Sequence, residues 1–171
     1  MSEILIDDNY WMAHAIELAK RAAALGEVPV GAVIVKDNSV VAEAWNQPIS
    51  GHDATAHAEV RAIRLAGEKL QNYRIPNTTL YITIEPCAMC LGAIVHARIT
   101  RVVFGAPEPK AGMLFSNRAL VDSGCFNHDF SWQGGVLADA CSSVMSDFFK
   151  QRRAEKKKEK EKQRQQVPNS D

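Results

Sequence analysis

The sequence predicts an α/β domain with helices packed on both faces of a central sheet. Segments with helical apolar spacing alternate along the chain with short runs of β-branched residues, which is the pattern of this fold class. The 171 residues, 46% of them apolar and 23% charged, provide enough core for one domain and do not indicate extensive disorder.

The first third of the chain predicts a helix followed by a β-hairpin. Apolar residues recur at helical spacing through residues 9–25, and Gly26 is a suitable stop. Residues 28–35 are nearly continuous in β-branched side chains, residues 36–39 are turn formers, and residues 40–45 are again apolar. This order indicates two antiparallel strands joined by a tight turn.

The middle of the chain predicts alternating helices and strands. Apolar spacing indicates helices, β-branched alternation indicates strands, and clustered proline and glycine indicate loops. The predicted elements are a loop over residues 51–55, a helix over 56–70, a strand over 79–84, a helix over 86–97, a strand over 99–104 and a loop over 105–112.

The last third of the chain is less regular and ends in a basic segment. Residues 113–135 show no clear periodicity, and an amphipathic helix begins near Val136 and is expected to fade into the tail. Only residues 163–171 have the composition of a poorly ordered segment.

Charge is unevenly distributed along the chain although the formal net charge is zero. Residues 150–164 hold nine Lys or Arg against three Glu, a local balance of +6. The totals of 20 basic and 20 acidic residues therefore leave 11 and 16 in residues 1–149, a balance of −5, with Asp171 supplying the remaining −1. A basic end on an acidic body fits either a solvated helix end or a surface for a polyanionic partner.

The cysteines and the N-terminus indicate a reducing compartment. No run of eighteen apolar residues is present, and residues 1–8 are acidic and lack the pattern of a signal peptide. We therefore expect a cytoplasmic protein without membrane contact. In that compartment a close cysteine pair such as Cys87 and Cys90 favours metal binding or catalysis over a disulfide.

Two short motifs carry the chemistry: His57-Ala58-Glu59 and Pro86-Cys87-Ala88-Met89-Cys90. Cysteines three residues apart at the start of a helix project to one side, and a helix N-terminus favours the thiolate form that binds metal. With a histidine as third ligand, a tetrahedral zinc keeps one position for water, as catalytic sites do.

A nearby carboxylate completes this predicted centre. Zinc makes hydroxide available near neutral pH, and Glu59 is placed to carry a proton to a leaving nitrogen. Taken singly, the cysteine pair also fits a redox couple, and a closed structural zinc would need a fourth ligand. The remaining cysteines and histidines do not lie at ligand spacing to either motif.

The combined order H-x-E…P-C-x-x-C is a known signature of zinc-dependent nucleobase deaminases. Beyond this signature, the chain resembles the bacterial tRNA-specific adenosine deaminases, of the cytidine/deoxycytidylate deaminase superfamily, from about Tyr10 to Arg153. The resemblance also rests on the segments 27–33, 45–46, 55–59, 85–90, 101–106 and 146–149.

This resemblance implies a cytidine-deaminase-like three-layer α/β/α sandwich with a mixed central sheet. It also implies a homodimer, with one Zn²⁺ per chain, that converts the wobble adenosine of an arginine tRNA to inosine by attack of zinc-activated water at C6. The anticodon stem-loop is then the partner. Residues 1–149 would form the deaminase domain, and residues 150–171 a basic helix end and tail.

The resemblance also implies roles for individual side chains. His57, Cys87 and Cys90 match the zinc ligands, Glu59 the proton shuttle, and Asn46 a side chain that binds the flipped base. The positions that would contact the anticodon loop are Lys110, Asn127, Phe149 and Arg152.

One loop departs from the family pattern. Glu108 replaces the family's usual Asp and lies between Pro107 and Pro109. The resemblance implies that this position accepts a ribose hydroxyl, which the longer Glu carboxylate can still do.

Two other functions fit the same motifs. A deaminase of a free base or nucleoside, such as cytosine or guanine, uses the same zinc chemistry with different pocket contacts. A non-catalytic, zinc-stabilised RNA-binding module is the other alternative. Glu59 argues against the module, because a structural site needs no proton shuttle.

Overall fold

A computed structural model describes residues 6–166, which form a five-stranded mixed sheet between two layers of helices. The helices and strands are α1 (Asp8–Ala24), β1 (Gly31–Lys36), β2 (Ser39–Trp45), α2 (Pro48–Gly51), α3 (Ala58–Leu70), β3 (Thr79–Ile84), α4 (Ala88–Ala97), β4 (Arg101–Ala106), β5 (Ser131–Gln133) and α5 (Ala138–Gln166). The strand order is β2-β1-β3-β4-β5. β1 pairs antiparallel with β2 and β3, whereas β3, β4 and β5 run parallel. The predicted three-layer α/β/α sandwich with a mixed sheet is confirmed.

Each face of the sheet has its own apolar cluster, because side chains alternate along the strands. Ala32 and Ile34 of β1 pack on one face with α3 and α4. Val33 and Val35 pack on the other face with α1 and the beginning of α5. Gly31, the first residue of β1, lies so close to the α1 backbone that a Cβ atom there would collide with Ala15.

The elements run in the predicted order for most of the chain. The hairpin turn is confirmed, since Asp37 and Asn38 both have positive φ, as tight two-residue turns require.

Two elements were not predicted from the sequence. The strand β5 is only three residues long and lies in the segment without clear periodicity. The helix α2 is a single turn that begins at Pro48, a residue suited to the first helical position. Both elements are too short to produce a periodic signal.

The last helix is longer than the sequence predicts. α5 continues through the basic segment to Gln166. The prediction that the helix fades into the tail is therefore wrong. The poor order expected from residue 163 onward is also wrong for residues 163–166. Residues 167–171 lie outside the described part of the chain. The helix crosses position 149/150, and the division of the chain there stays a prediction. No helix among residues 6–166 has the length and apolar character needed to cross a membrane.

Candidate zinc centre and active site

The two motifs meet because both lie where helices begin beside the sheet. His57 is the N-cap residue of α3 and Cys87 is the N-cap residue of α4. Both helices therefore begin two residues later than predicted, and the ligand side chains stand at their first turns. Cys90, fully buried in the first turn of α4, faces the same space.

The geometry of the three side chains fits a tetrahedral zinc. His57 Nδ1 lies 3.8 Å from Cys87 Sγ and 3.5 Å from Cys90 Sγ. Zinc bonds of about 2.3 Å to sulfur and about 2.0 Å to nitrogen, at a tetrahedral angle, place such atoms about 3.5 Å apart. Among residues 6–166, these three form the one group of His, Cys, Asp or Glu side chains close enough to share an ion. The predicted ligands are therefore positioned together, and no fourth His, Cys, Asp or Glu of the described residues joins them.

The protonation of the cluster also suits metal binding. Hydrogen bonding from Cys90 and, next, from His57 outweighs burial and lowers the pKa of Cys87 to about 4. The Cys87 partner in turn raises the pKa of His57. All four cysteines of the chain are free thiols. Cys87 thus has thiolate character before any ion binds. Hydrogen bonding to Cys87 and burial raise the pKa of Cys90, so the Cys90 thiol must release its proton when an ion binds.

Glu59 lies in the first turn of α3 with only 3% of its surface exposed. Burial raises the pKa of this carboxyl group to about 7, while its own backbone N–H and the nearby His57 act in the opposite direction. A carboxyl group with such a pKa accepts and releases a proton near neutral pH. This is the behaviour expected of a proton shuttle.

A cavity of about 320 Å³ opens above the cluster. Its size lies within the range of about 300–1,000 Å³ typical of small-molecule sites. Its wall includes His57, Glu59 and Cys87 together with three of the predicted substrate residues: Asn46, Glu108 and Phe149.

Asn46 links the cavity wall to the metal motif. The side chain is buried, and its Oδ1 atom accepts a hydrogen bond of 2.8 Å from the backbone N–H of Ala58. That N–H belongs to the first turn of α3, where helices have donors without intrahelical partners. Asn46 therefore orients the helix that carries Glu59, and its amide NH2 group is the part suited to a ligand.

The predicted RNA residues separate into two groups. Phe149, 41% exposed, lines the cavity mouth, and the guanidinium carbon of Arg152 lies 5.3 Å from the Phe148 ring one turn away. Lys110 is exposed beside Glu108, whose carboxylate accepts its backbone N–H at 3.0 Å. Asn127 lies elsewhere and accepts hydrogen bonds from Arg98 at the far end of α4.

Sequence reasoning missed two buried glutamates that shape this site. Glu27, 1% exposed, lines the cavity and accepts the backbone N–H groups of Ile49 and Ser50. Glu85, directly before the cysteine motif, is 2% exposed and holds the loop that carries Glu108. The available signal in the sequence was the position of each glutamate beside an apolar strand. A carboxylate is rarely buried at such a position unless it has hydrogen-bond or charge partners.

Comparison with known proteins agrees with this geometry. The family model for the cytidine and deoxycytidylate deaminase zinc-binding region matches residues 5–106. A tRNA-specific adenosine deaminase of Haemophilus influenzae is 50% identical over 151 residues, which cover 88% of this chain and 87% of that protein.

Two solved structures extend the comparison. One, from work on A-to-I editing by tRNA:A34 deaminases at the wobble position of tRNA, matches with a TM-score of 0.77 and 37% identity over 79% of this chain and 98% of that one. A guanine deaminase from Bacillus subtilis matches with a TM-score of 0.57 and 38% identity. This match covers 69% of this chain and 70% of the guanine deaminase chain. The chain belongs to the cytidine and deoxycytidylate deaminase family of zinc-binding proteins and, within it, to the tRNA-specific adenosine deaminases.

Proposed function

We propose that this protein hydrolytically deaminates the wobble adenosine of an arginine tRNA to inosine. The observation that carries the proposal is the open three-ligand site with Glu59 buried beside it at the wall of a nucleobase-sized cavity. The similarity to tRNA-specific adenosine deaminases over most of the chain supports the choice of substrate.

His57, Cys87 and Cys90 would hold the zinc ion. When bound, zinc supplies a water molecule acidified enough to act as nucleophile near neutral pH. Glu59 takes the proton from the attacking water and delivers it to the amino nitrogen at C6 of the base. With a pKa near 7, Glu59 changes its protonation state readily in both directions. The products are inosine and ammonia.

Five further side chains contact the RNA in this proposal. The amide NH2 group of Asn46 donates to the base, and Glu108 accepts a ribose hydroxyl. Phe149 stacks on a neighbouring loop base, and Arg152 and Lys110 contact phosphates, as aromatic and cationic groups do in single-stranded RNA sites. Asn127 remains a predicted anticodon-loop contact, although it lies away from the cavity.

We also propose a cytoplasmic homodimer with a deaminase domain over residues 1–149 and a basic helix end and tail over 150–171. The resemblance to the family supports the dimer, and the similarity to tRNA-specific adenosine deaminases supports the location. Size-exclusion chromatography with light scattering tests the dimer directly, since a monomeric mass would contradict it.

Deamination of a free base is the second candidate, favoured by the 38% identity to a guanine deaminase. The open cavity mouth with an exposed aromatic side chain favours a polymer substrate. A free base needs no stacking partner at the rim of the cavity.

The test incubates the zinc-loaded protein with cytidine, guanine and an anticodon stem-loop that carries a wobble adenosine. We expect a mass gain of about one unit on the stem-loop only, because an amine is replaced by a carbonyl oxygen. The same adenosine in a full duplex should react more slowly, since loop bases leave their stack more easily. Turnover of the small compounds without turnover of the stem-loop would overturn the proposal.

A further inference from the structure

The basic part of α5 is a continuous helix, and one of its faces carries only cationic side chains. Successive helical residues turn by about 100°, so the direction of each side chain around the axis follows from its number. Five cationic side chains project within a sector about 100° wide. This basic stripe consists of Arg153, Lys156, Lys157, Lys160 and Arg164.

Acidic residues lie outside the stripe. Glu155, Glu159 and Glu161 project at least about 40° beyond its edges. All five stripe residues are exposed, and within residues 6–166 none of them belongs to an ion pair. The stripe is therefore a surface of unneutralised positive charge on an otherwise acidic protein.

The stripe continues the rim of the active site. Lys156 and Lys160 project within about 20° of the direction of Phe149, which lines the cavity mouth. At 1.5 Å per residue, the stripe extends from about 6 Å to about 22 Å beyond Phe149 along the helix. If a nucleic acid inserts one base into the cavity, the part of its chain outside the cavity mouth would therefore lie next to the basic stripe.

We propose that this stripe binds the phosphate backbone of the double-stranded stem next to the loop whose adenosine enters the cavity. The inference rests on the proposed function for the position of the loop. A loop base in the cavity places the stem outside the mouth, and double-stranded RNA is recognised through its backbone and shape. The helix beyond Phe149 has no apolar face of the kind that membrane-surface helices need.

The test compares two double variants with identical spacing and charge change. Lys156→Gln with Lys160→Gln removes two of the five stripe charges, whereas Lys158→Gln with Lys162→Gln removes two charges from a face about 140–180° away from Phe149. Both pairs are exposed, four residues apart, and replaced by a residue of similar helix propensity. Circular dichroism checks that both variants keep the helix.

Binding of an anticodon stem-loop and of a linear oligonucleotide with the loop sequence is measured against salt. We expect the stripe variant to bind the stem-loop about tenfold more weakly at low salt, with a slope of log affinity against log salt flatter by about 2. Its affinity for the linear oligonucleotide and its turnover at saturating RNA should match the unsubstituted protein. The control variant should retain most of the stem-loop affinity.

Equal losses in both variants, or no loss in either, would overturn the stripe as a directed contact. Stripe-dependent binding to vesicles containing phosphatidylserine but not to the stem-loop would also overturn it. Wild-type deamination of the stem-loop is recorded separately. A protein that deaminates only small compounds therefore contradicts the proposed function, whereas the comparison of the two variants decides the stripe.

Discussion

Replacing Glu85 by Gln should destabilise the loop that forms one wall of the active site. Its Oε1 atom accepts the backbone N–H groups of Leu114, Phe115 and Ser116 at 2.7–3.0 Å. Its Oε2 atom accepts the N–H of Glu108 and the hydroxyl of Ser116 at 3.0 and 2.6 Å. This one buried carboxylate therefore ties residues 108–116 to the strand end before the cysteine motif.

The size of the effect follows from these five hydrogen bonds. A glutamine presents one oxygen and one NH2 group, so at least two donors face the NH2 group in either orientation. Hydrogen bonds to charged groups contribute about 1.5–3 kcal/mol each, and part of the loss is recovered when the loop relaxes and the Ser116 hydroxyl rotates. We expect the free energy of unfolding to fall by about 3 kcal/mol, a shift of about 1–2 M in the urea midpoint.

The assay is urea unfolding followed by circular dichroism, with Glu68→Gln, at an exposed position of α3, as the matched control.

The effect of the substitution should also depend on pH. Burial raises the pKa of Glu85, but the hydrogen bonds from Ser116, Glu108 and Phe115 outweigh burial and lower this pKa overall. A lowered folded-state pKa stabilises the protein above the ordinary Glu value of about 4.3, and this contribution is lost as the pH falls through the folded-state pKa. The variant should therefore lose less stability on acidification. A urea midpoint of Glu85→Gln that lies within 0.3 M of the midpoint of Glu68→Gln, roughly the noise of such measurements, would refute the assigned role of Glu85.

Three other predictions concern the metal centre and the packing of α1. Cys87→Ser should reduce bound zinc well below one per chain, whereas Cys125→Ser should not, as metal analysis would show. Glu59→Gln should keep zinc and stem-loop binding but lose at least about two orders of magnitude in turnover, and near-normal turnover would exclude Glu59 as the shuttle. Asp8→Asn should lower the free energy of unfolding by about 1–2 kcal/mol, because the carboxylate pairs with Arg101 at 2.7 Å and accepts the Tyr81 hydroxyl at 2.9 Å. The Arg101 hydrogen bonds lower the pKa of Asp8, so the difference between wild type and variant should shrink as the pH falls below the ordinary Asp value of about 3.9 and through the folded-state pKa. A difference that does not shrink on acidification would contradict the assignment.

The metal ligands were predictable because their signal is local in sequence. Cys87 and Cys90 are one helical turn apart, and His57 and Glu59 are two residues apart, so spacing alone indicated which side chains act together. The sheet and its two helical layers followed from the same kind of short-range pattern. These features depend on neighbours within a turn or a strand.

The remaining features depend on contacts between distant residues. Glu85 binds groups 23–31 residues away, and Asn46 binds a helix terminus twelve residues away, which residue types alone do not show. The length of α5 was underestimated because its second half has no apolar periodicity. That part of the helix is supported by propensity and by local pairs such as Gln151 with Glu155.

The separation of the metal ligands along the chain has a consequence for the polymer itself. An ion held by both His57 and Cys87 closes a loop of 30 residues that contains α3 and β3. If the ion stays bound on unfolding, such a cross-link reduces the entropy of the unfolded chain by an amount equivalent to about 3–4 kcal/mol in the loop-closure model. Loss of the ion would therefore remove a tether as well as a reagent. Removal of the ion by a chelator should therefore make the exposed residues 71–74, in the connection between α3 and β3, more sensitive to a protease.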